Sequence, residues 1–502
     1  MRGGFGITYD RINNTLSAIY PSLGLGFAQT INVGGPLCST GPGCDTSGSR
    51  ALSGFRAGVD GSLPLPVIPA AGIPIIPQGV FADLITYQQT PDFRDGRSNN
   101  FNLSVQRELP GSMVLETSYV ARLGRNLQQN TSFNSAPYFF VDAASKQSFA
   151  QAFDAVAGAL RSQQPVATQP WFENQLPGLG TAYLVKNSAS DFVNGFVNSI
   201  FRTMDVARLR MGLQPYDNTQ VRSIRVRVEN GTSNYNGLLV SLRKRTSHGL
   251  SFDANYTFAK SLDEAGLVQD FSNGYSSSFF PGIDYGNSFF DRTHVFNANF
   301  LYELPFGSSV GRTSGWTAKA IQGWYVSGIY VQASGLPLSV NISGAEAFGG
   351  DIATSSGAIP TVSPGQFGNS VHSASGSAGI GTNGNPGTGG SGLNLFGNPE
   401  TVFRSFRPFA LSRDTRTGWS NPLRGLPFWN LDLSIGKATR ITERTSVRLS
   451  ADFFNFFNHV NFSDPSLDLQ NPGTFGVITD QAAPTNRTSG SRWIQLGLRI
   501  EF

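Results

Sequence analysis

The chain has 502 residues, of which only 14 % are charged, well below the roughly 25 % of soluble globular proteins, and its 58 glycines are accompanied by abundant Asn, Ser and Thr. A net charge of +4 over that length, with no Lys/Arg cluster interleaved with aromatics, excludes nucleic acid as a partner. No run reaches the roughly 18 apolar residues of a membrane helix, and the nearest, Leu63 to Ile76, is broken by Pro64, Pro66, Pro69 and Pro74.

At the amino terminus Phe5, Ile7 and Tyr9 alternate as a strand, and there is no apolar core of signal-peptide length. The reading is expected to start inside a longer protein. Cys38 and Cys44 follow in a Gly- and Pro-rich stretch, and two thiols with no nearby His fit a loop disulfide in an oxidising compartment better than a zinc site.

Alternating strands then recur in pairs. Phe101 to Gln106 turns through Glu108 to Ser112 into Val114 to Val120. Leu238 to Arg243 turns at Lys244 to Gly249 and returns as Leu250 to Phe258, where Leu250, Phe252, Ala254, Tyr256 and Phe258 would face lipid and Ser251, Asp253, Asn255 and Thr257 a wet lumen. Phe296 to Leu304 repeats the pattern up to a short turn at Pro305 to Gly307; Trp324 to Val331, Trp429 to Ile435 and Val447 to Phe453 continue it. With weaker candidates around Phe27 and Phe475, on the order of a dozen strands are predicted, within the range of membrane barrels.

The connections are unequal. Lys244 to Gly249 and Lys437 to Arg444 are short, whereas about 34–97, 127–222 and 344–428 are long, an asymmetry that outer-membrane barrels show and compact sandwiches rarely do. In the second long loop Phe149, Phe153, Val156 and Leu160 fall at helical spacing after Ser145, and Phe192, Phe196 and Ile200 predict another short helix; both stripes are expected to pack the loop onto itself. The third loop is Gly- and Ser-rich near Gly376 to Gly392, and flexibility is expected there; its Gly387 to Gly392 matches G-x-G-x-x-G without the preceding strand or following helix that a nucleotide site needs. His248, His294, His372 and His459 are scattered, no nucleophile elbow is present, and no catalytic, cofactor or metal site is predicted.

The last ten residues carry the alternation to the end of the sequence. Ile494, Leu496, Leu498, Ile500 and Phe502 alternate with Gln495, Gly497, Arg499 and Glu501, a stretch long enough to cross a bilayer when tilted. An edge strand of a soluble secreted sandwich has the same alternation, and the loop asymmetry argues against it. The stretch resembles the closing strand of a bacterial outer-membrane barrel, a resemblance that implies reading of Phe502 by the barrel assembly machinery. The fold class predicted is all-β: an antiparallel transmembrane β-barrel, present in part, with long extracellular loops carrying short helices. Leu498, Ile500, Phe252, Phe300 and Leu449 are expected to share its outer face.

Phe453 to Phe462, reading FFNFFNHVNF, resembles the F-N-x-F-N-H-x-N-F signature of Oar-like TonB-dependent transporters. Asn102 to Gly111, Asn234 to Leu238, Asn255 to Asp263, Asp291 to His294 and Tyr302 to Gly307 resemble successive strands of that family in the same order. The resemblance implies a barrel of roughly 22 strands, an amino-terminal plug and a TonB box; this sequence is expected to hold neither plug nor box and to begin inside the barrel. Residues 1–502 are therefore expected to be the amino-terminally truncated barrel of such a receptor, in the bacterial outer membrane. Its expected partners are outer-membrane lipid, the assembly machinery, a saccharide, peptide or small-molecule ligand, and the TonB complex only if a plug lies upstream. A surface adhesive or structural barrel without transport is the alternative.

Overall fold

A computed structural model describes residues 1–10, 85–217, 223–264, 275–306, 316–342, 356–374, 379–414, 422–442, 444–482 and 490–502. One sheet of twelve strands dominates it: β1 (Arg2–Tyr9), β2 (Ile85–Gln89), β3 (Arg97–Leu109), β4 (Met113–Ser132), β5 (Ser223–Ser247), β6 (Leu250–Asp263), β7 (Gly286–Asn287), β8 (His294–Glu303), β9 (Trp324–Ala333), β10 (Phe428–Arg440), β11 (Ser446–Phe454) and β12 (Trp493–Glu501). Ten of them form an antiparallel meander from β1 to β12; β2 lies parallel to the far end of β5, and β7 is a two-residue addition to β6. Among the described residues the outer edges of β1 and β12 are not paired with each other.

Tight turns set the register. His248 and Gly249 both have positive φ, 52° and 76°, the twist that lets a two-residue turn join β5 to β6, and a Cβ on Gly249 would sit 2.6 Å from the Glu303 carbonyl oxygen. Between β3 and β4 the three-residue turn 110–112 also uses positive φ, at Gly111 (81°) and Ser112 (59°). With the register fixed, each side chain's face follows, because residues directly opposite in a ladder share a face. Phe252 lies opposite Phe300, then Gly328, Leu433, Phe453 and Ile494 across six strands. Leu449, Leu498 and Ile500 have the same parity, so the five residues expected on one face are on it.

The same row runs the other way through Lys244 to Met113. Met113 is the first residue of β4, whereas Leu433, five strands along, is seven residues inside the end of β10 at Arg440. That climb corresponds to a strand tilt of about 45°, within the barrel range.

Connections alternate between two rims. Residues 110–112, 248–249 and 441–445 are short and share one rim with 304–323, which is longer than the predicted turn at Pro305 and holds a helix at Trp316–Ile321. At the other rim the strands end where connections 10–96, 133–222, 264–293, 334–427 and 455–492 leave and re-enter the sheet, so all three predicted long loops start and finish there, with two more. Strand β4 runs on to Ser132, which moves the start of the second loop beyond the predicted residue 127.

At that rim the loops build a second, helical layer. α1 (Phe149–Arg161) is started by Ser148 rather than Ser145: the Ser148 hydroxyl accepts from the Gln151 amide while the Gln151 side chain accepts from the Ser148 amide. α2 (Pro170–Gln175), α3 (Gly180–Asn194) and α4 (Val197–Arg210) follow. Phe192 and Ile200 belong to two different helices, with Gly195 at φ 81° breaking the chain between them, so the single helix predicted there is a junction. Phe149, Phe153, Trp171, Phe172 and Phe192 are fully buried, in one core with Leu395, Phe409 and Phe475 from the later loops. Phe475 thus belongs to the cap, not to a strand; Phe27, the other weak candidate, lies outside the described residues. Asp154 of α1 fastens the layers, accepting from the amides of Leu411 and Ser412 at 2.9 Å each and from the Ser412 hydroxyl at 2.6 Å.

Candidate membrane interface and rim site

A sheet with one oily and one wet face normally buries the oily one; here it stays open. Phe5, Ile7, Phe101, Leu103, Val105, Leu238, Phe258 and Leu449 are all exposed on the face defined above. On β12 the exposure is extreme: Leu496 is 81 % and Leu498 65 % accessible, and Ile494 and Ile500 more than half. Phe502, just beyond the strand, is 98 % accessible. An apolar band of this extent, continuous over ten strands, is a surface for lipid rather than water.

Both ends of the band are aromatic or amphipathic. At the short-turn rim the Lys437 ammonium lies 5.0 Å over the Trp324 ring, its register partner, and donates to the carbonyls of Ala320 and Gln322. At the long-loop rim the Tyr256 hydroxyl bonds His294 Nδ1 at 2.7 Å, and Trp429 stacks on His459 with ring centroids 4.0 Å apart. Rings with one polar end are what a membrane–water boundary selects.

The opposite face is polar and internally paired. Arg243 meets Asp253 at 2.9 Å, Asn255 donates to Asn297 at 3.2 Å, Ser434 donates to Asp452 at 2.5 Å, and Arg2 bridges to Glu116. Ile329, exposed on this face opposite Asn299 and Asp432, is an exception without a structural reason here.

Two motifs of the sequence mark where strands leave the band. Asn455, at φ 53°, donates through Nδ2 to the carbonyls of His459 and Gly490 at 2.7 Å each and accepts from the His459 amide at 2.9 Å. Asn461 accepts from the Trp429 amide and donates to the Trp429 carbonyl, as a backbone would, and Asn458 accepts from the Arg492 amide. The asparagines therefore satisfy main-chain groups where β10, β11 and β12 end, beside a membrane boundary at which unpaired groups are costly. Asp291 plays a similar part. Its buried carboxylate accepts from the Ser261 amide at 2.6 Å and pairs with Arg424 at 2.5 Å and Lys260 at 3.5 Å, tying the 264–293 and 334–427 connections together. These roles were hidden in motifs legible only as a family resemblance.

Above the rim a cavity of about 390 Å³ opens between the end of β4 and α4, with Phe133, Phe201, Tyr216 and Phe279 as aromatic walls and Asn198, Arg202 and Asp205 as polar lining. Asp205 is fully buried; burial pushes its carboxyl up to about 6, although the amides of Tyr216 and Asp217 donate to it at 2.7 and 3.1 Å. The nearby Asp142 goes the other way, held at about 2 by hydrogen bonds from Ser145 and Asn174. No sequence pattern announced this cavity, since its lining comes from separate segments. Cys38 and Cys44 lie outside the described residues, and among the described residues no cluster of His, Cys, Asp and Glu could hold a metal. The described part of the Gly-rich segment, 379–392, folds into short turns, with Asn385 capping one through the Gly387 amide.

Comparison with known proteins bears on this surface. The model of a family described as outer membrane beta barrel domain matches residues 1–495. Among solved structures, the chain is similar to the outer membrane transporter YddB from Escherichia coli (7 % identity, 84 % of this chain and 34 % of that one, TM-score 0.34). It is likewise similar to BauA, the ferric preacinetobactin receptor from Acinetobacter baumannii (8 %, 82 % and 32 %, TM-score 0.31). The FrpB iron transporter from Neisseria meningitidis gives 10 % identity, 84 % and 33 % coverage and a TM-score of 0.30. The chain spans about a third of the length of each of these. No curated protein matches the sequence.

Proposed function

The chain belongs to the outer membrane β-barrel domain family, and from that premise we propose that residues 1–502 are barrel and loops of an Oar-like TonB-dependent receptor that takes up a ligand across the outer membrane. The observation that carries this reading is the division of labour in the ladder: an open apolar face on one side, a charged and amide-rich face on the other, and a rim roofed by packed loops with a cavity among them. Ligand capture falls to the rim, passage to the polar face, and energy to the TonB complex through a plug. In this reading Cys38 and Cys44 form a disulfide in the first long connection, and Ile494, Leu496, Leu498, Ile500 and Phe502 are the segment recognised by the barrel assembly machinery. The substrate class is a saccharide, peptide or chelate.

The test is genetic. Deleting the gene in its host should reproduce part of the growth defect caused by loss of TonB across a panel of carbon and iron sources, with no added defect in the double mutant. A deletion that impairs surface attachment alone, and does so equally with and without TonB, would favour an adhesive barrel instead.

A further inference from the structure

On the lipid-facing side of β3 and β4, just beyond the apolar band, two arginines stand directly opposite each other. Arg97 pairs with Arg125 in the ladder, and Tyr9 of β1 lies on the other side of Arg97. Parity places all three on the oily face: Arg97 is four residues from Phe101, and one row below them are Ile7, Asn99 and Leu123. Like charges directly opposite on one face of a sheet repel. Yet among the described residues neither arginine makes an ion pair, and the exposed side chain of Arg97 makes no hydrogen bond. Arg125 is held in place by the carbonyls of Gly124 and Ser233, at 2.6 and 3.1 Å, and by Asn234 Oδ1 at 3.1 Å. These bonds leave N–H groups of its guanidinium uncommitted. The carboxylate of Glu264 feels the charge of Arg125 but accepts from the Thr232 amide and hydroxyl.

The height of the pair identifies what could neutralise it. Twelve residues of β3 separate Arg97 from Leu109 at the short-turn end. At a tilt near 45° this is a rise of about 28 Å, against an apolar band about 25 Å tall. Short turns face the periplasm in such barrels, so the pair stands at headgroup level of the outer leaflet, with Tyr9 as an interfacial ring beside it. Guanidinium groups bind phosphate oxygens through paired N–H donors, and two of them a ladder spacing apart can share one phosphate.

We propose that Arg97 and Arg125 form a binding site for the phosphate of an outer-leaflet lipid headgroup. The site fixes one anionic lipid against β1, β3 and β4 and removes the repulsion built into the register. It rests on the membrane-barrel fold and is independent of whether the protein transports anything.

The experiment uses the full chain purified in a neutral detergent and titrated with bisphosphorylated lipid A or its dephosphorylated form, with bound lipid counted by native mass spectrometry. The phosphorylated form should bind preferentially, and the double variant Arg97→Gln/Arg125→Gln should lose about tenfold in that affinity, the amount expected for one lost charge-assisted contact pair. Arg122→Gln, on the polar face next to the pair, should leave binding unchanged. Equal binding of the two lipids by the wild type, a preference that survives the double substitution, or an equal loss in Arg122→Gln would overturn the proposal.

Discussion

Replacing Leu433 by arginine tests the face assignment at its most demanding point. Leu433 is on β10, seven residues inside the strand end at Arg440 and flanked in its row by Gly328 and Phe453. At the tilt derived above it lies about 16 Å from the short-turn end, slightly past the middle of an apolar band about 25 Å tall. An arginine there costs about 2 to 4 kcal/mol, and the central position favours the upper half of that range, a drop of about 100-fold or more in the folded population. The neighbouring Ser434→Arg reverses the environment: Ser434 points to the polar face and donates to Asp452, so an arginine finds a carboxylate across the ladder and should change stability by less than about 1 kcal/mol. The assay is refolding of the full chain into phosphatidylcholine vesicles at graded urea, scored by protease protection and heat-modifiable migration. Equal losses for the two variants, or a larger loss for Ser434→Arg, would mean that the oily face does not meet lipid.

Deleting Phe502 should lower outer-membrane levels in cells without changing stability in preformed vesicles, because that residue, 98 % accessible and beyond the last ladder pair, packs against nothing in the sheet; pulse-labelled membrane fractions check it. Asn455→Ala removes three hydrogen bonds and leaves a non-glycine residue at φ 53°, which together should destabilise the protein by about 2 to 4 kcal/mol in a urea titration. Asp205 gives the cap a pH dependence. Its carboxyl is raised from 3.8 to about 6 in the folded state, so the native cap binds the extra proton and its stability falls as pH rises from about 4 to 6, by about 3 kcal/mol at most. Trp171 fluorescence in urea at several pH values should show that fall in the wild type and a flatter profile in Asp205→Asn.

The sheet was legible because a membrane strand is written in period two: from Leu250 to Phe258 every second residue is apolar, and nothing but the register of β5 and β6 was needed to place them. The rim was legible only in outline. Loop length announced where it would be, but Phe192 and Ile200 keep helical spacing across a glycine break, so periodicity merged two helices into one. Ser145 resembles a helix cap as well as Ser148 does; its bond to Asp142 and the absence of a glutamine three residues on decide between them. The cavity beside Asp205 escaped altogether, because its walls come from Phe133, Phe201 and Phe279, which no local pattern relates. The asparagines of the FFNFFNHVNF stretch were legible by resemblance alone, since a side chain that substitutes for a missing backbone partner has no periodic signature.

The shared core of the cap has a consequence for motion. Phe149 and Trp171 from one connection, Leu395 and Phe409 from another, and Phe475 from a third exclude water together, and Asp154 pins the first to the second. Loops that each end in a strand ordinarily fluctuate one by one. These behave as a single cooperative unit, so that no connection swings aside without exposing aromatic surface of the other two. Slow amide exchange, correlated among Phe149, Trp171, Leu395, Phe409 and Phe475, is the signature this coupling should leave.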